Sequence, residues 1–465
     1  MGFIYALVVV LVIFEGIIIQ CEGTGDVGIE HSSKRRQSAP NNDLPILPND
    51  VFEFIVSKSN FGTIQKFIQK FIVPSNGLVM NNILEKHTIY IAPELGRKIC
   101  AGYHLGDSYV TIGSYKGLTL FFEKFGDRVK KIEIPLDSNS GPRRAITHDI
   151  VKTYAKNFEE LRIHGLLQNL FWDGILSDGE NGIIFPELKK FCTVGDILRN
   201  EFKLNLIFPK LECFELFGSV ADVNCLENVT GLKELKLLTS SIEEQKLDDI
   251  FANNEKLTMI SLQCPNRAET MHSIAKHLMN LKKLKVDYPG EDFMFRKNNG
   301  ETYNFPSVTH FHIKFDGPLG IFRSGNLTFD MPRLKELILD GTTIATNDEI
   351  VNFIKQFKEL ETVELSLQLT NGMNCIEELK HIREFRTTTY KNRFHTVKNL
   401  FENFDQNSKL QIIKFLNINE STYRKYAKDL NELNIKLKIF EKPTWTVSQE
   451  EIGADESHLI LERDP

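Results

Sequence analysis

The sequence predicts an α/β solenoid, a horseshoe with parallel strands on a concave face and helices on a convex face. Three observations predict it. A six-residue block with apolar first, fourth and sixth positions recurs down the chain, from VKKIEI at Val129 to LQIIKF at Leu410. From Phe158 onward its copies start 21 to 30 residues apart. Several segments between the blocks carry apolar residues at three- and four-residue spacing, the period of a helix. Composition agrees with a folded chain: 465 residues, 42% hydrophobic and 25% charged. Those values exclude wholesale disorder and low-complexity fibres.

The elements follow in chain order. Phe3 to Gln20 is apolar except for Glu15, and the small residue Gly23 comes soon after. That pattern predicts a secretory signal peptide over residues 1–23. A membrane anchor built on the same run is the alternative. Residues 24–43 are polar, include Lys34-Arg35-Arg36, and are expected to form a disordered linker. Residues 44–100 carry the helical pattern SNFGTIQKFIQKFIV and are expected to form a helical cap. A solenoid needs such a cap because its terminal repeat otherwise exposes an apolar face.

Residues 101–440 are expected to form the solenoid. Its blocks include FEELRI at Phe158, LECFEL at Leu211, LKELKL at Leu232, LTMISL at Leu257 and LKKLKV at Leu281. VTHFHI at Val308, LKELIL at Leu334 and LETVEL at Leu360 follow, with weaker copies at Leu188 and Ile382. On a strand, the fourth and sixth residues of a block point the same way. Stacked strands then bury these residues in one continuous core that no single block could form. SIEEQKLDDIFANNEK, RAETMHSIAKHLMN and TNDEIVNFIKQFKE read as helices between blocks. Thr346-Asn347-Asp348 is a helix start signal ahead of Glu349. The last segment, 441–465, is acidic and is expected to be flexible, with apolar character only at His458–Leu461.

Block spacing of this kind is that of leucine-rich repeats. The stretch LQCPNRAETMHSIAKHLMNLKKLKV resembles the helix-containing repeats of F-box leucine-rich-repeat proteins. LPILPNDVFEFIV at residues 44–56 is similar to the opening of an F-box, with Leu47-Pro48 before Val51, Phe52, Phe54 and Ile55. The later Trp-containing part of that motif has no counterpart, since the chain holds only Trp172 and Trp445. The resemblance implies a protein-binding solenoid with a degenerate F-box-like lead-in. It also implies an alternative role, an intracellular substrate adaptor of a ubiquitin ligase.

No catalytic set is present: no GxSxG, no P-loop, no HExxH and no zinc-deaminase signature. No cofactor and no metal site is expected. Seven cysteines are present and none forms a CxxC pair. Cys192 and Cys213 fall on neighbouring strands and are a disulfide candidate, with Cys213–Cys225 as the other option. Sequons at Asn228, Asn326 and Asn419 are glycan acceptors if the chain is secreted. The net charge of −6 gives no electrostatic reason to expect nucleic acid. The expected partner is a protein held on the concave face, with no membrane contact after signal removal and a monomeric chain. The outward residues expected to touch it include Arg162, His164, Lys283, Lys285, His310, His312, Glu336 and Glu364. Lys283, Lys285, His310 and His312 are expected to form one basic patch.

Overall fold

The computed structural model divides into two compact units, Met1–Phe52 and Glu53–Pro465. The residues it describes all lie in the second unit. They are chiefly 88–91, 109–112, 121–135, 141–165, 184–194, 203–218, 223–238, 242–263, 268–289, 302–316, 328–345, 347–369, 381–388, 409–418, 445–451 and 457–463. The predicted signal peptide, the linker and the F-box-like segment at 44–56 lie outside them.

The chain is α/β with a long, mostly parallel sheet. Its first strands are β1 (Thr88–Ile91), β2 (Tyr109–Ile112), β3 (Lys131–Pro135), β4 (Glu160–His164), β5 (Lys190–Val194) and β6 (Cys213–Phe217). β7 (Glu234–Leu238), β8 (Met259–Gln263) and β9 (Lys283–Pro289) continue it. Two short strands, β10 (Thr302–Asn304) and β12 (Thr328–Asp330), pair with each other in a separate parallel ribbon. The main sheet goes on with β11 (His310–Asp316), β13 (Glu336–Ala345), β14 (Thr362–Leu369), β15 (Glu384–Thr388) and β16 (Ile412–Ile418). β17 (Trp445–Glu451) and β18 (Ser457–Arg463) complete it. From β3 to β16 every strand of this sheet lies parallel beside the one before it.

The block phase read from the sequence is the phase of the sheet. Fourth residues align across strands as Ile132, Leu161, Phe191, Phe214, Leu235 and Ile260, and on to Leu337 and Ile413. All of these are fully buried, as are the first residues Phe158, Leu232, Leu257 and Leu334. Each buried Leu or Phe side chain contributes about 1.5–3 kcal/mol by leaving water. Phenylalanines fill part of this core: Phe191 packs between Phe208 (ring centroids 4.9 Å) and Phe214 (5.8 Å).

The second residue of each block sets the register. Its N–H donates to the carbonyl of the matching residue one block earlier, from Glu159 to Lys130 (2.7 Å) through to Gln411 to Arg383 (2.8 Å). The same column carries side chains of alternating sign at its start. Glu159 there takes Lys189 at 3.0 Å and Lys130 at 3.5 Å, which hold its carboxyl below the usual range.

Three of the described helices fall between strands where the periodicity placed them, and two lie where it marked none. α1 (Gly141–Tyr154) follows β3, and the short α2 (Leu204–Ile207) follows β5. α3 (Glu244–Asn253) and α4 (Ala268–His277) follow β7 and β8, and α5 (Asn347–Ile354) follows β13. α3 buries Leu247, Ile250 and Phe251 at helical spacing.

One expectation is corrected. The segment from 441 is not a flexible tail over its described part. β17 and β18 form an antiparallel hairpin, and β18 pairs antiparallel with β16. Leu459 and Leu461 face Phe415 and Ile413, so the hairpin covers the last core rows with alternating apolar residues. The Asn434 side chain fastens it, donating to the Trp445 carbonyl at 2.7 Å and accepting from the Trp445 N–H at 3.1 Å. Of the region expected as a helical cap, 44–100, the helical pattern at 59–73 lies outside the described residues, and Thr88–Ile91 forms β1, which joins the sheet beside β3. Among the described residues no helix is long and apolar enough to cross a membrane.

Candidate functional site on the polar face of the sheet

Alternation puts the third and fifth residues of each block on the sheet face opposite the core. The register then arranges them in columns. The fifth-position column includes Glu133, Arg162, Cys192, Glu215, Lys236, Ser261, Lys285, His312, Ile338, Glu364, Arg386 and Lys414. The third-position column beside it includes Glu160, Lys190, Cys213, Glu234, Lys283, His310, Glu336, Thr362 and Glu384. The expected partner-facing residues all lie on this one face.

They do not act together. On β4, Arg162 binds Glu160 at 2.7 Å, and His164 Nε2 lies 2.9 Å from Glu133 without a hydrogen bond. Two strands on, Glu215 takes Lys236 at 2.7 Å and Lys190 at 3.2 Å. Those lysines hold its carboxyl below the usual range although burial opposes them.

Lys283, Lys285, His310, His312, Glu336 and Glu364 do fall side by side, on β9, β11, β13 and β14. Lys283 pairs in register with His310, and Lys285 with His312. The basic patch differs from expectation in one member. Burial first, then the charges of Lys285 and Lys314, push His312 down to about 4, so its imidazole is neutral near neutral pH. His310 Nε2 leans to Glu336 at 3.4 Å on the next strand. The cations of the patch are Lys283, Lys285 and Lys314, with Asp287 3.9 Å from Lys285.

The next strands carry the opposite sign. Glu336 and Asp340 lie on β13 and Glu364 on β14. Burial raises the Glu364 carboxyl, with Asp340 and Glu336 adding to the shift. Arg386, in the weak block at Ile382, serves this region: it binds Glu336 at 2.6 Å and Glu384 at 2.7 Å. Its only signal in the sequence was the fifth position of that block.

The disulfide candidate is corrected. Cys192, Cys213 and Cys225 are free thiols. The register pairs Cys213 with Lys190 and Cys192 with Glu215, which staggers the two cysteines by two residues along the strands. Burial pushes the Cys213 thiol up to about 12 and the Cys192 thiol higher still, so neither is a nucleophile at neutral pH. Of the sequons, Asn228 is exposed in a turn after Leu226. Asn326 and Asn419 lie outside the described residues. Among the described residues no group of three or more His, Cys, Asp and Glu is placed to hold a metal ion.

No family model matches the chain. No curated protein matches it in sequence. Among solved structures, the chain is similar to a crystal structure of a protein from Bacteroides fragilis at 12% identity. That match covers 61% of this chain and 75% of the other, with a TM-score of 0.28.

Proposed function

We propose that the chain is a leucine-rich-repeat solenoid of the helix-containing type. In this reading it is secreted and captures a protein partner on the concave, polar face of its sheet, without catalysing a reaction. One observation carries the reading: an unbroken parallel register sets every outward third and fifth residue from β3 to β16 on one face. Repeat solenoids use such extended faces to bind proteins. The face mixes both signs, which suits a folded protein better than nucleic acid.

Two measurements test it. Mass spectrometry of the native protein should find a mature N-terminus near Thr24 and glycan on Asn228. A crosslinker at position 285 should capture a partner that the same crosslinker at Lys256, an exposed turn residue after α3, does not. Equal capture at both positions removes the concave face from the account.

The free thiols and the F-box-like LPILPNDVFEF favour a second reading, an intracellular substrate adaptor, since reduced cysteines are usual inside cells. An intact Met1 in a cytosolic fraction would select it.

A further inference from the structure

We propose that the Lys283–Lys285–Lys314 cluster seats an acidic segment of the partner protein, one that turns basic about three residues further on. This rests on the reading of the polar face as a partner-binding surface and names the chemistry of what docks there.

The charge pattern is the first argument. On other parts of the face opposite charges are matched locally, as Glu215 is by Lys190 and Lys236, and Glu384 by Arg386 and Lys414. At the centre they are not. Among the described residues Lys283 and Lys314 enter no ion pair, and Lys285 reaches only Asp287, at the long distance of 3.9 Å. Register places all three on the adjacent strands β9 and β11.

The second argument is an orphaned polar atom in the same place. His312 Nε2 is out of solvent and has no hydrogen-bond partner. A buried polar nitrogen left unbonded costs stability. A carboxylate set between Lys285 and Lys314 supplies an acceptor for that nitrogen when it carries the proton. The groups around it are Lys283, Lys285 and Asp287 on β9, His310 and Lys314 on β11, and Glu336 and Asp340 on β13.

The third argument fixes the class of partner. The cations end abruptly at Glu336, Asp340 and Glu364. A uniform polyanion lying across the strands would run onto these carboxylates. A peptide that changes sign avoids them. Strands lie about 4.8 Å apart, so two strands span roughly 10 Å, about three residues of extended chain. Acidic side chains over β9 and β11 thus place a residue about three positions on over β13 and β14.

The test uses the full chain and a fluorescein-labelled peptide of two glutamates followed, three residues on, by a lysine. A charge-scrambled peptide and heparin serve as comparisons, and binding is read by fluorescence anisotropy. The peptide should bind better than its scrambled form. The Lys285→Ser/Lys314→Ser double variant should lose at least about tenfold in affinity while Lys256→Ser loses none. Binding should also raise the pKa of His312, seen in its imidazole NMR shifts, because an anion stabilises the imidazolium. Thermal melts of the variants confirm folding. Peptide binding that the double variant leaves unchanged, or binding of heparin alone, overturns the proposal. So does peptide failure while a crosslinker at position 338 still captures the native partner, and that result leaves the partner-binding reading standing.

Discussion

Arg386 Nη1 lies 2.6 Å from Glu336 Oε1, across the full width of the intervening strand β14. The two residues are 50 positions apart in the chain. The same guanidinium donates through Nε to Glu384 at 2.7 Å. It is a fork closed on two carboxylates, a geometry that lysine cannot reproduce. Glu364, between them on β14, is left with a raised carboxyl pKa.

Removing the guanidinium leaves three half-buried carboxylates facing one another. Arg386→Gln should lower unfolding stability by about 2 kcal/mol, the scale of a hydrogen bond to a charged group. Glu364→Gln should act in the other direction. A carboxyl whose folded pKa is raised adds stability while protonated and loses it as pH rises through that value. The variant should therefore be more stable than the parent at neutral pH, with the gain vanishing below the ordinary carboxyl value of 4.5. Urea melts at several pH values measure both. A Glu364→Gln effect independent of pH would refute the charge argument.

Leu337 is fully buried in the fourth-position core row. Leu337→Ala should cost about 2–5 kcal/mol, the range for a large cavity in a packed core. Lys335→Ala, which breaks only the exposed 2.7 Å pair with Glu361, should cost under about 1 kcal/mol. Glu336, its other neighbour, is no neutral control, because it holds Arg386 and faces His310. Equal losses at 337 and 335 would place the strand in the wrong phase.

Asn254 ties two repeats together from the inside. Its Nδ2 donates to the carbonyls of Val229 at 2.8 Å and Ile250 at 2.9 Å, and its Oδ1 accepts the Leu232 N–H at 3.0 Å. It is buried, so no water can stand in for it. Asn254→Leu should cost roughly 1–3 kcal/mol for each buried backbone group it orphans. Asn253→Leu, next to it, removes one exposed bond to the Glu227 carbonyl and should be far milder. Chemical denaturation of the two variants separates them.

His312 carries a pH signature. Its pKa falls from the ordinary 6.5 to about 4, so the unfolded chain binds the proton more readily between those values. Its contribution to stability is intact above 6.5 and is lost as pH falls toward 4. His312→Leu should remove that loss, so the variant gains on the parent on acidification. NMR should show no titration of His312 between neutral pH and pH 5. A midpoint in that interval would mean the imidazole is solvated.

Block spacing, strand phase and three of the helices were legible in the sequence, because each depends only on neighbours within a few residues. Leu337 and Ile413 declare themselves as core by alternation with Glu336 and Lys414. The C-terminal hairpin showed only a trace, the apolar pair Leu459 and Leu461. An acidic composition hid the rest, since what makes it a strand is the open edge of β16.

The sequence by itself determined a periodic α/β chain with one buried and one polar strand face, since periodicity is a one-dimensional property. Only the tertiary structure decided which charges on that face are neutralised. Arg162 and Glu336 looked as available as Lys283. Ion pairing depends on distances of a few ångströms between strands, and those follow from the register of residues 21 to 50 positions apart. The same packing turned His312 from an expected cation into a neutral imidazole, because burial and two neighbouring lysines act on it through space rather than along the chain.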